Sequence, residues 1–146
     1  MTTINTYLTF NGNCLQAFTF YQSVFGGEFA HVGKYDEMPD DPRYPVTDSD
    51  KDRIMHISLP ISKETVLMGS DAGGEWAKEF HQGNNFSVSI HTDSQAEADR
   101  LFEGLSQYGK VVMQLNETFW GSYFGMLTDQ FGIQWMVSAP SKKEED

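Results

Sequence analysis

The feature that most constrains this chain is an order of elements that occurs twice. Ile4 to Phe10 reads as a short strand rich in Thr, Tyr and Phe. It ends at Asn11-Gly12-Asn13, a turn cluster that also supplies a helix N-cap. Cys14, Ala17, Phe18, Tyr21, Val24 and Phe25 then recur at helical spacing, and Gly26-Gly27 stops the helix. The same order returns further on. Asn84 to Thr92 alternates, with Phe86, Val88 and Ile90 on one face and Ser87, Ser89 and His91 on the other. Ser94 and Glu97 form a capping-box pattern, and Ala98, Leu101, Phe102 and Leu105 form an amphipathic stripe.

The two strand–helix units superpose with a shift of 81, which sets Thr6 on Ser87, Ala17 on Ala98 and Tyr21 on Phe102. A β-rich stretch follows each helix. The last hairpins superpose with a shift of 67, Val66 on Ile133. The fourteen-residue difference falls at Asp36 to Asp52, which holds Pro39, Pro42 and Pro45 and seven acidic against two basic residues. That is loop chemistry. The chain therefore reads as one α+β domain over 1–146: module one at about 4–71, a linker at 72–83, module two at about 84–138 and a charged tail at 139–146. Each module is βαβββ. Side by side they predict one larger sheet with helices on its outer face.

Composition removes several function classes. The 146 residues carry ten basic and 21 acidic side chains, a formal charge of −11. A field of that sign repels phosphate backbones and anionic lipid, so nucleic acid and membrane are not expected partners. No apolar run reaches the roughly 18 residues that span a bilayer. Met1 to Asn5 carries neither a basic region nor an apolar signal core. The single cysteine, Cys14, excludes an intrachain disulfide. A cytoplasmic location is the expectation.

Several segments in this order resemble one superfamily. They are Tyr7-Leu8-Thr9-Phe10-Asn11-Gly12-Asn13, Phe20-Tyr21, Phe25-Gly26-Gly27-Glu28, Met38-Pro39, Met55-His56 and Leu67-Met68-Gly69-Ser70-Asp71 in the first half. Phe119-Trp120-Gly121, Tyr123-Phe124-Gly125 and Asp129 to Trp135 add to them in the second. Over residues 4 to 138 the chain resembles the vicinal oxygen chelate superfamily, which includes glyoxalase I, extradiol dioxygenases and the fosfomycin and bleomycin resistance proteins. It looks most like the PhnB-like subgroup.

The resemblance implies a curled, mixed β-sheet of two βαβββ modules with a concave cleft, a homodimer and, in the superfamily's metal enzymes, four ligands from the first and last strands of both modules. Carried across, those positions fall on Thr6, Gly69, Ser87 and Met136. A glycine offers no side chain, and the other three are poor donors for Zn²⁺, Ni²⁺ or Fe²⁺. The expectation is no metal site and no cofactor. Members of the subgroup sometimes carry a name implying a ubiquinone-pathway methyltransferase. Gly69, Gly73 and Gly74 do not form the strand–glycine loop–helix of a nucleotide-like cofactor site.

Alternation from the four positions places Leu8, Leu67, Asp71, Ser89, His91 and Gln134 on the cleft side. Phe86, Val88, Ile90, Ile133, Trp135 and Val137 would then face the helices. The predicted ligand-binding cleft is Thr6, Leu8, Leu67, Gly69, Asp71, Ser87, Ser89, Trp120, Tyr123, Gln134 and Met136. Two functions are expected. The leading one is binding of a small molecule without metal. The alternative is a lyase or isomerase with His56 as acid/base, or a metal enzyme with ligands displaced around His56.

Overall fold

In the computed structural model, which describes residues 1–142, the chain forms two compact units, Met1–His81 and one beginning at Gln82. In the first, β1 (Thr6–Phe10) leads into α1 (Cys14–Phe25), β2 (His31–Lys34), β3 (Ile54–Pro60), β4 (Val66–Asp71) and the single turn α2 (Glu75–Lys78). In the second, β5 (Val88–His91) leads into α3 (Gln95–Leu105), β6 (Lys110–Glu117), β7 (Ser122–Thr128) and β8 (Gln134–Pro140). Each unit has its own four-stranded mixed sheet, ordered β1-β4-β3-β2 and β5-β8-β7-β6. The βαβββ repeat is therefore present, one module per unit. The linker expected at 72–83 belongs to the first unit as far as His81. Strand β8 runs on to Pro140, into the stretch expected as tail, and the rest of that tail, 143–146, lies outside the described residues.

In both modules the first strand pairs parallel with the last, β1 with β4 and β5 with β8. The intervening helix covers one face of the sheet. On α1 the apolar stripe Cys14, Ala17, Phe18, Tyr21 and Val24 is buried, and Phe10 meets Phe18 edge to face. On α3 the stripe Ala98, Leu101, Phe102 and Leu105 is buried above Leu127, Trp135 and Val137. Burying one such large apolar side chain stabilises by about 1.5–3 kcal/mol, so each helix is fixed mainly by its stripe.

The two helices are capped differently. Ser94 accepts the Glu97 backbone N–H at 3.2 Å, as its capping pattern predicts. Asn13 makes no side-chain cap on α1. Asp71, at the end of β4, replaces it: Oδ1 accepts the backbone N–H of Gly12 (2.8 Å) and Cys14 (3.0 Å), and Oδ2 accepts that of Ile54 (2.9 Å). One carboxylate thus joins the start of α1, the start of β3 and the end of β4. No helix among the described residues is long and apolar enough to cross a membrane.

Candidate functional site

The sheet of module one has one face under α1 and one away from it. Leu8 and Phe10 are 3% exposed, Leu67 is 4% exposed, and Ile57 and Leu59 are fully buried. Gly69 belongs to the same face, because a Cβ there would come within 2.7 Å of the Phe18 ring. Alternation adds Thr6, which is opposite Leu67. Thr6, Leu8, Leu67 and Gly69 therefore face α1, while Asp71, at the end of β4, also lines a cavity described below. Asp71 is 2% exposed and occupied with three backbone donors.

The alternation itself holds, and its phase is shifted by one residue. Leu8 opposite Gly69 corresponds in facing to Ile90 opposite Val137, so the strands match with a shift of 82 where the helices keep 81. The connection before α1 takes one residue more than that before α3. A strand slipped by one residue turns every side chain over.

In module two the predicted facing agrees with the structure for most positions. Trp135 and Val137 are buried, with Val88 and Ile90 beside them. Ser89, Gln134 and Met136 lie on the opposite face. His91 ends its strand 3.2 Å from the Ser138 hydroxyl. Phe86 and Ser87 precede β5, and Phe86 is 57% exposed, not packed against a helix. Tyr123 is also misplaced by the cleft assignment. It stands opposite buried Ala139, on the α3 side, and its hydroxyl donates to Asp99 at 2.5 Å. That bond, with some burial, pushes the phenol up to about 12. Trp120 sits in the β6–β7 turn, 55% exposed, edge-on to Phe119 and Phe124.

The face of module one away from α1 carries Tyr7, Thr9, His31, His56, Met68 and Ser70. Tyr7 stacks on His56 with ring centroids 5.8 Å apart, and its hydroxyl is 3.5 Å from His56 Nδ1. His31 lies on the other side of His56, centroids 5.6 Å apart. Beside this group is a cavity of about 630 Å³, within the usual size of small-molecule sites. Tyr7, Thr9 and Ser70 supply sheet residues to it; the insertion supplies Met38 and Tyr44; the segment after β4 supplies Trp76 and Phe80.

Its walls are held by a connected set of bonds. Tyr35 donates to the Asp71 carbonyl at 2.8 Å, and Asp50 Oδ2 accepts the Gly74 N–H at 2.9 Å. Arg53 Nη1 donates to Asn11 Oδ1 and to the Ala72 carbonyl, while its Nε lies 3.6 Å from Asp50. Burial, with the Tyr7, Asp71 and Asp50 charges, raises the Tyr35 phenol above its ordinary range against the opposing pull of Arg53. Sequence reasoning missed Tyr35, Tyr44, Trp76 and Phe80, which have no periodic neighbours. Their signal is aromatic side chains inside polar, Pro- and Gly-rich stretches.

The superfamily's metal does not fit these residues. Thr6 and Gly69 turn toward α1, and the positions that replace them after the phase correction, Asn5 and Met68, bring no carboxylate or imidazole. Among the described residues no three His, Cys, Asp or Glu side chains converge. Cys14 is fully buried, and burial beside the Asp71 carboxylate pushes its thiol well above the usual range, so it is no nucleophile.

The profile of the family described as 3-demethylubiquinone-9 3-methyltransferase matches residues 2–138. The chain belongs to that family. It is 30% identical to protein YjdN of Escherichia coli K12, over 92% of this chain and 93% of that one. Among solved structures it is similar to protein PA1353 from Pseudomonas aeruginosa, with TM-score 0.83, 38% identity and coverage of 97% and 100%. The PhnB protein from Bacillus cereus shares the fold at TM-score 0.71 and 24% identity, covering 94% and 99%. A glyoxalase/bleomycin resistance protein/dioxygenase family enzyme from Burkholderia phytofirmans does so at TM-score 0.58 and 15% identity, over 92% and 97%. The chain thus has the fold of the PhnB protein and of the glyoxalase/bleomycin resistance protein/dioxygenase family enzyme. The family's description names a methyl transfer. In this chain Gly73 and Gly74 do precede a helical turn, α2, which the sequence did not lead us to expect. That turn is four residues long, and the next strand, β5, pairs with β8, not beside β4. No nucleotide-type βαβ unit results.

Proposed function

We propose that the protein binds a small organic molecule in the module-one cavity and does so without a metal. The observation that carries this is the cavity itself. Aromatic walls from three separate segments surround a few fixed polar groups, the composition of ligand sites in general. The bonds from Tyr35, Asp50 and Arg53 fix those segments before any ligand arrives, so little ordering entropy is left for binding. The test is a fragment screen read by the Trp76 indole N–H in an NMR spectrum. Binders that shift Trp76 and are lost on Trp76→Ala support the proposal. Binders that leave Trp76 unmoved and shift only residues beyond Gln82 overturn it.

A second reading rests on Tyr7, which both lines the cavity and contacts His56. In it, His56 exchanges a proton with a bound substrate through the Tyr7 hydroxyl, as a lyase or isomerase requires. Turnover lost in His56→Gln with ligand affinity kept supports this reading; affinity and turnover both unchanged remove it. We also propose a cytoplasmic homodimer. The edge strand β6 exposes Val112 and Met113, and Phe119 beyond it is 98% exposed, an apolar strip suited to a second copy.

A further inference from the structure

The sheet side of the module-one cavity carries two neighbouring hydroxyls that the chain itself does not use. Thr9 and Ser70 stand opposite each other on the parallel strands β1 and β4, on the face away from α1, and both line the cavity. Among the described residues neither hydroxyl takes part in a hydrogen bond. Adjacent strands lie roughly 5 Å apart, and each hydroxyl is one donor with two acceptor lone pairs. The pair can donate to a carbonyl oxygen and accept from an N–H beside it. The charged side chains that line the cavity are, by contrast, already engaged. Arg43 holds Asp41 at 2.9 Å and Glu75 has Lys78 at 3.5 Å. Asp50 lies 3.6 Å from Arg53 and accepts the Gly74 N–H, and Asp71 accepts three backbone N–H groups. A charged ligand would leave water without a free counter-charge to meet it, which is costly.

We infer that the ligand is an uncharged planar molecule with an amide-type edge, a carbonyl beside an N–H, read by the Thr9 and Ser70 hydroxyls. This rests on the binding proposal above and narrows it. The ring faces of Tyr44, Trp76 and Phe80 among the lining residues suit a flat ligand body. Trp76 is 77% exposed, so it can be truncated without opening the core.

The test compares four probes built on one ring system: quinolin-2-one, which has the amide edge, quinoline, which lacks it, and the ions N-methylquinolinium and quinoline-6-carboxylate. Each is titrated calorimetrically at pH 8 into the full chain, into the double variant Thr9→Val with Ser70→Ala, and into Trp76→Ala. Quinolin-2-one should bind tightest, about tenfold tighter than quinoline, the size of one or two neutral hydrogen bonds, and its affinity should not change with salt. In the double variant it should bind no better than quinoline, and Trp76→Ala should weaken both. If either ion binds as tightly as quinolin-2-one and Trp76→Ala weakens both, the cavity stands as a site and the uncharged class is wrong. If quinolin-2-one keeps its advantage over quinoline in the double variant, the hydroxyl pair is not what reads it. Quinolin-2-one binding that Trp76→Ala leaves unchanged places its site elsewhere and overturns the inference. Absence of binding by all four removes the amide class, and only the fragment screen then bears on the cavity.

Discussion

Gly69 lies directly beneath the Phe18 ring, so close that a Cβ built on it would stand 2.7 Å from Phe18 Cε1 and 2.7 Å from the Leu8 carbonyl oxygen. This contact fixes which face of the first sheet α1 covers. It also leaves Tyr7, Thr9 and His56 on the other face.

Gly69→Ala should therefore destabilise the protein by about 1–3 kcal/mol, the usual cost of overpacking, because the backbone carbonyl cannot step aside as a side chain can. Chemical denaturation measures it. Met68→Ala, one residue along on the other face, should leave the Phe18 packing untouched and show no such strain. If Gly69→Ala unfolds at the same denaturant concentration as the parent, the facing of β4 is wrong.

Asp71→Asn keeps the shape and removes the charge. It leaves one carbonyl oxygen where two carboxylate oxygens accept three backbone N–H groups, two of them buried, and turns an amide N–H₂ toward a donor. We expect a loss of about 2–4 kcal/mol by denaturation. Amide exchange should also accelerate at Gly12 and Cys14. Unchanged exchange there would mean that Asp71 is not the cap of α1.

Much of this organisation is legible in the residues. Both helices follow from stripes, and module two follows from the alternation of Val88, Ser89 and Ile90. The phase of β1 does not. Leu8 and Thr9 are both plausible inward residues, and the two helices that carry the repeat follow connections that differ by one residue. The Asp71 cap is hidden because it acts across 57 residues of chain. The cavity is hidden for a related reason. Tyr44, Trp76 and Phe80 lie on segments without period, so only the folded chain brings them beside Tyr7.

Tyr123 gives a pH signature. Its hydrogen bond to Asp99 raises the phenol to about 12 from an ordinary 10.0. A raised folded value means that the protonated phenol contributes stability fully below pH 10, and that this is lost as pH rises from there through about 12. Ultraviolet titration should show one tyrosine ionising near 12 that returns toward 10 in Asp99→Asn. A spectrum unchanged by that substitution would remove the bond.

Sedimentation at tens of micromolar should give a dimer. With a charge of −11 per chain opposing association, the contact must be apolar, and Val112→Glu with Phe119→Ser should yield monomer. A parent chain that sediments as monomer contradicts the dimer; a double variant that remains dimeric moves the interface off the β6 strip.

The most direct measurement is a crystal structure with the tightest small molecule found by screening. The account predicts ordered density between Tyr7, Tyr44 and Trp76, on the face of the first sheet away from α1. Density seated instead on the Ser89 and Met136 face of module two, with the module-one cavity empty, would contradict it.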